Sequence, residues 1–100
     1  MVRVDPVVVG DHVFTGVTVE LPKTRLIVLA TPKGYIMCGA LDIGLLNDRL
    51  AERGIVAARC VGVRTYEDLL NCGVESATKA AEELGIKPGM PGREALLRML

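Results

Sequence analysis

The sequence has no tryptophan, one phenylalanine and two tyrosines among its 100 residues. A platform of rings on which bases could stack is therefore missing. Neither sign of charge is in excess: twelve Lys and Arg balance twelve Asp and Glu, and the two signs are interspersed. Without a basic stripe the electrostatic footprint of nucleic-acid binding is missing too, so no nucleic-acid partner is expected. Histidine occurs once, as His12 beside Asp11. That is too few ligands for a zinc or iron centre, and no metal site is predicted. Serine also occurs once. Ser76 lies in no G-x-S-x-G elbow, and its context Glu75-Ser76-Ala77 reads as the first turn of a helix. No Walker sequence and no G-x-G-x-x-G is present.

Long apolar runs are missing as well. Leu26 to Ala30 is far too short to span a bilayer, so no membrane partner is expected. The opening Met1-Val2-Arg3-Val4-Asp5-Pro6 puts an acid and a proline where an export signal needs an apolar stretch. The three cysteines, Cys38, Cys60 and Cys72, are odd in number and form no C-x-x-C. Reduced thiols and a cytoplasmic location are the expectation, in place of a disulfide framework.

What the chain does have is aliphatic bulk. Half of it is apolar, with 11 glycines besides, and its mean hydropathy is +0.37. One small domain has limited interior, so part of this surface is expected between subunits of a homo-oligomer. No linker, repeat or low-complexity segment divides the chain, and one domain over 1–100 is expected.

The order of periodicities predicts an α+β fold: a mixed sheet of about five strands, with helices packed on it and at the C-terminus. An antiparallel meander comes first. Val7-Val8-Val9 precedes a Gly10-Asp11 turn, and His12 to Leu21 alternates. The odd set Val13, Thr15, Val17, Val19 and Leu21 is expected to face the core. Pro22-Lys23 ends that strand. Arg25 to Thr31 reads as a buried central strand. Pro32-Lys33-Gly34 reads as a turn with a left-handed glycine, and Tyr35 to Gly39 as the return strand. A helix capped by Asp42 follows, with Ile43, Leu46 and Leu50 as its buried stripe and Gly54 as its terminator, where Ile55 folds back on Leu50. Ile55 to Val63 is the next strand, which makes a strand–helix–strand crossover. Thr65 caps a short helix to Leu70, with Asp68 at its third position. A helix from about Glu75 to Leu84 presents the small face Ala77, Ala80, Ala81 and Leu84, which is expected to pack close to its neighbour, and Gly85 ends it. Pro91 opens the last helix, anchored by Ala95, Leu96 and Met99.

In a parallel crossover both strands end on one edge of the sheet, and ligands of open α/β sheets bind beyond such edges. The predicted strand ends, Met37-Cys38-Gly39 and Gly62-Val63-Arg64, would bring together Cys38, Gly39, Asp42, Arg64 and Thr65, the candidate ligand-binding residues. Cys38 is the candidate catalytic residue. A thiol near a guanidinium and a helix N-terminus can have a lowered pKa and act as a nucleophile. The plainer alternative stays open: Cys38 as a small core residue, and Arg64 as the ion-pair partner of Asp42 or Asp68.

The stretch Gly34-Tyr35-Ile36-Met37-Cys38-Gly39-Ala40-Leu41-Asp42 resembles the signature of the YunC-like family, small bacterial and archaeal proteins grouped as a domain of unknown function. Leu21-Pro22-Lys23-Thr24, Val61-Gly62-Val63-Arg64-Thr65, and Gly89-Met90 with Gly92 to Leu97 are similar to the same family. The resemblance spans essentially the whole chain and implies an α+β fold. It carries over no activity, cofactor or catalytic residue. Two functions follow as expectations: small-molecule binding at the carboxyl edge of the crossover, or a non-catalytic homo-oligomeric assembly or regulatory module. The reaction, if any, and the cofactor are left unassigned.

Overall fold

The computed structural model describes residues 1–48 and 51–100. Among them six strands form one mixed sheet, in the order β1 (Val2–Val9), β2 (His12–Leu21), β3 (Thr24–Ala30), β4 (Gly34–Met37), β5 (Val56–Arg59) and β6 (Ser76–Ala77). All neighbours are antiparallel except β4 and β5, which are parallel and joined through helix α1 (Ile43–Asp48). This is the expected meander followed by a βαβ crossover. The sheet has one strand more than the sequence suggested.

The first two turns follow from local chemistry. Gly10 takes φ +61°, which closes the two-residue loop between β1 and β2. Pro22 and Lys23 close the next one. Proline holds its own φ near −65°, and Lys23 accepts φ +60° behind it. Gly34 differs from its predicted role. Its φ is not positive; the glycine is required because β5 runs so close that a Cβ would meet the Val56 carbonyl oxygen.

Three helices, α2 (Tyr66–Asn71), α3 (Lys79–Glu83) and α4 (Gly92–Leu97), pack on one face of the sheet. The main core lies between them. Phe14, Ile27, Leu29 and Ile36 rise from the strands to meet Leu69, Ile86, Leu96 and Met99. The predicted anchors of α4, Ala95, Leu96 and Met99, are fully buried. A smaller cluster on the opposite face packs Ile43 and Leu46 of α1 over Tyr35 and Ala57. Leu50, predicted to extend that stripe and to meet Ile55, lies outside the described residues.

β2 reverses the expected face. Its even residues Phe14, Gly16 and Thr18 are the buried ones, whereas Val13 and Thr15 are exposed. Space and hydrogen bonding decide this against apolarity. The Tyr66 ring sits over Gly16, where a Cβ would lie 2.7 Å from it. The Tyr66 hydroxyl accepts from Thr18 Oγ1 at 2.8 Å and donates to Asp5 Oδ2 at 2.9 Å. Val2, Val4, Pro6 and Val8 of β1 stand opposite Val19, Val17, Thr15 and Val13, so the valine-rich face of the hairpin points away from the helices.

The predicted strand from Ile55 to Val63 stops at Arg59, and Gly62 then turns the chain at φ +74°. The predicted helix from Glu75 is also divided. Ser76 and Ala77 pair with β5, and α3 starts only after Thr78. Buried Thr78 donates to the Ile55 carbonyl at 2.6 Å and accepts from the backbone N–H of Ala57 and Ala81. One hydroxyl thus ties the start of α3 to β5. Gly85 ends α3 as expected, with Ile86 N–H bonded to the Ala81 carbonyl at 3.2 Å and Gly85 N–H to that of Glu82 at 2.9 Å.

The expectation of three reduced thiols is corrected. Cys60, just after β5, and Cys72, just after α2, form a disulfide with their Cα atoms 6.3 Å apart. No spacing rule signals this pair, because α2 folding back is what brings the two together. Cys38 is the free cysteine, and it is buried.

Candidate functional site

β4 and β5 end side by side, and the chain leaves β4 through Cys38 and Gly39. The Cys38 N–H bonds the Ile27 carbonyl at 3.1 Å, and the Leu41 N–H bonds the Cys38 carbonyl at 3.1 Å, so the exit is a tight turn. Asp42 then caps α1, its Oδ1 accepting from the Leu45 N–H at 2.9 Å.

Arg59 organises the floor of this edge. Its Nε and Nη2 both donate to the Gly39 carbonyl, at 3.2 and 3.0 Å, and its Nη1 pairs with Glu75 Oε2 at 3.1 Å. The Ser76 hydroxyl donates to Glu75 Oε1. This bond, and then the Arg59 guanidinium, hold the Glu75 carboxyl below its usual range, so it is ionised at neutral pH. A cavity of about 610 Å³ opens here, lined by the Gly39–Gly44 loop on one side and by Arg59, Glu75 and Ser76 on the other.

A second cavity of the same volume lies where the β2–β3 turn faces the segment after β5. Lys23, Thr24, Arg25 and Arg64 line it with Glu20. Arg25 is already engaged, with Glu20 Oε1 at 2.6 Å and the Arg64 carbonyl at 3.0 Å.

The five sequence-predicted residues are distributed between these places. Gly39 and Asp42 line the first cavity, and Arg64 lines the second. Thr65 is the N-cap of α2, its Oγ1 accepting from Asp68 N–H at 3.1 Å while Asp68 Oδ2 accepts from Thr65 N–H at 3.2 Å. Cys38 is 6% exposed and lines neither cavity. Arg64 is separated from Asp42 because β5 ends four residues (63 − 59) earlier than the sequence suggested. Sequence reasoning missed Arg59, Glu75 and Ser76. A signal for Arg59 was present: it is the first charge after the apolar run Ile55 to Ala58. Glu75 and Ser76 reach the site only through the two-residue strand β6, which leaves no periodicity to read. Among the described residues, no three His, Cys, Asp or Glu side chains come together as a metal-binding group.

The profile of a family described as "Domain of unknown function (DUF1805)" matches residues 37–99. The chain belongs to this family. The DUF1805 match starts at Met37, so the Gly39–Gly44 loop, Arg59, Glu75 and Ser76 all lie within it, whereas β1 to β3 precede it. A Bacillus subtilis (strain 168) protein described as "Uncharacterized protein YunC" is 59% identical over 100 residues, covering 100% of this chain and 99% of that one. The crystal structure of TA1206 from Thermoplasma acidophilum, described as a protein of unknown function, superposes with a TM-score of 0.88 at 30% identity. It covers 100% of this chain and 94% of that one, so the six-stranded architecture is shared beyond the DUF1805 match.

Proposed function

We propose that the chain binds a small polar molecule at the carboxyl edge of the β4–α1–β5 crossover. The observation that carries this is the convergence of Asp42, Arg59, Glu75 and Ser76 around an open cavity of about 610 Å³ beyond two parallel strand ends. Arg59 commits three of its five N–H donors to Gly39 and Glu75 and its charge is paired with Glu75, so the larger share of the capacity left for a ligand is that of carboxylate and hydroxyl oxygens. Such a site suits a ligand rich in donors, an amine or a polyol. Gly39 and Asp42 are direct contacts in this reading. Cys38 lies behind the first of them, and Arg64 and Thr65 stand on neighbouring segments of the same edge.

The test is a thermal-shift screen of amines, amino acids and polyols on the wild-type chain, on Glu75→Gln and on Arg64→Ala. A ligand at a hundred times its Kd adds about 2.7 kcal/mol of stability. The expected outcome is a saturable rise in Tm that disappears in Glu75→Gln and persists in Arg64→Ala. If no compound shifts the melt, or if the shift survives in Glu75→Gln, the site is elsewhere. Alkylation of the native chain reports on Cys38: if only the unfolded chain reacts, the thiol has no role. The proposal places the protein in the cytoplasm as one domain over 1–100. The Cys60–Cys72 bond is the feature that argues for a more oxidising place. Trapping thiols in freshly lysed cells of the natural host decides between the two.

A second reading, a homo-oligomeric assembly module, is favoured by a different observation: the valine-rich face of β1–β3 has no helix over it. The small residues that read as one helix face in the sequence are turned inward, with Ala77 of β6 and Ala81 of α3 buried in the core.

A further inference from the structure

We propose that the uncovered face of β1, β2 and β3 docks the same face of a second copy of this chain, the two sheets packing face to face as a sandwich across a two-fold axis. This names the surface and the partner for the assembly reading and rests on it.

The face has the composition of an interior. Every residue that the three strands place on it is Val, Leu, Ala, Pro or Thr, and none is charged. The outer face of a solvated antiparallel sheet is normally its polar one. Here Val2, Val4, Val8 and Val13 are each 65–67% exposed. On the same side α1 covers only the β4–β5 end, over Tyr35 and Ala57.

Three features favour a second copy as the occupant. The first is area. Three strands, β1 to β3, of 8, 10 and 7 residues at about 3.4 Å per residue and about 4.8 Å spacing give a flat footprint of about 410 Å² on each molecule. Two such faces make about 820 Å² before side-chain relief is added, and that relief brings them to the roughly 1,000 Å² that a specific association needs. The second is chemistry. An uncharged partner face leaves no charge stranded on burial, and a two-fold contact supplies such a face by construction. A membrane surface fits less well, because the chain has zero net charge and no basic cluster to meet anionic lipid. The third is the sheet's edge. β1 is an edge strand interrupted by Pro6, which lacks the N–H needed to extend a ladder, so strand-to-strand pairing is blunted and the face is left as the adhesive surface.

The experiment is sedimentation equilibrium of the full chain over a wide concentration range. It compares wild type with Val4→Glu, Val13→Lys and, as a control on another exposed apolar site, Leu97→Glu. Wild type and Leu97→Glu are expected at twice the chain mass. Val4→Glu and Val13→Lys are expected at half that value, with unchanged far-UV circular dichroism, since both positions are solvated in the single chain. If one of the two fails to fold, the other decides. A monomeric wild type overturns both this proposal and the assembly reading. A dimer that survives both face variants overturns the surface and leaves assembly by another route. Sedimentation of wild-type chain with phosphatidylserine vesicles, abolished by Val4→Glu, would replace the second copy with a membrane.

Discussion

Lys23 holds a left-handed backbone, φ +60°, at the second position of the two-residue turn between β2 and β3. A side chain in that region costs about 1–2 kcal/mol, and glycine avoids the cost while losing some entropy on folding. Lys23→Gly is therefore expected to raise stability by about 0.5–1 kcal/mol in urea denaturation. An unchanged or lower midpoint would show that the lysine side chain contributes something the backbone argument omits. At this scale part of the candidate site was legible. Gly39 and Asp42 stand at a strand-to-helix junction, and local sequence marks such junctions. Arg59 and Glu75 are brought together by strand pairing between segments 16 residues apart (75 − 59), and no local pattern encodes that. Nothing local marks Tyr66, whose hydroxyl reaches Thr18 and Asp5 across 48 and 61 residues. Those contacts set which face of β2 is buried.

Among the elements, caps were the most legible features because they depend on residues a few positions apart. Thr65 caps α2 with Asp68 at its third position, as predicted; the two bond reciprocally, and the Arg64 N–H also donates to Asp68 Oδ2 at 3.0 Å. These bonds, that of the Arg64 N–H foremost, lower the Asp68 pKa. A carboxylate whose folded pKa lies below its unfolded one stabilises fully above the ordinary carboxylate range. That contribution is lost as pH falls through the folded value. The wild-type melt is thus expected to decline on acidification through and below the ordinary aspartate range, and Asp68→Asn to be less stable at neutral pH but flatter in acid. Parallel pH profiles for the two chains would remove Asp68 from the account. The extents of β5 and α3 were not legible. Gly62 cuts the first short, and the hydrogen bonds of Thr78 to β5 make an extended pair of what reads locally as a helix start.

For the whole molecule, the fold class and the crossover were legible because they follow from the order of periodicities. The disulfide and the orientation of the β1–β2 hairpin were not, since both are settled by what the helices cover. The Cys60–Cys72 bond closes a short loop around α2, and closing a loop of this size is worth about 3 kcal/mol in the chain-entropy account. Alkylation of the unfolded chain without reductant should label one thiol, Cys38, and three after reduction. Stability should drop by about 3 kcal/mol when the bond is opened. Three labelled thiols before reduction would show that the bond is not formed in solution.

Sheet order and chain order coincide in this molecule: each strand from β1 to β6 lies beside its successor. On the ribosome, β2 meets β1 as it emerges, and β3 and β4 join in turn, each across a loop of two or three residues. The entropy of closing each loop is small, and no strand waits for a distant partner. Only β5 must cross over through α1 before it can add. The first four strands are thus ready to pair while the rest of the chain is still being made, and the crossover that forms the candidate site is the step at which local zippering gives way to long-range search.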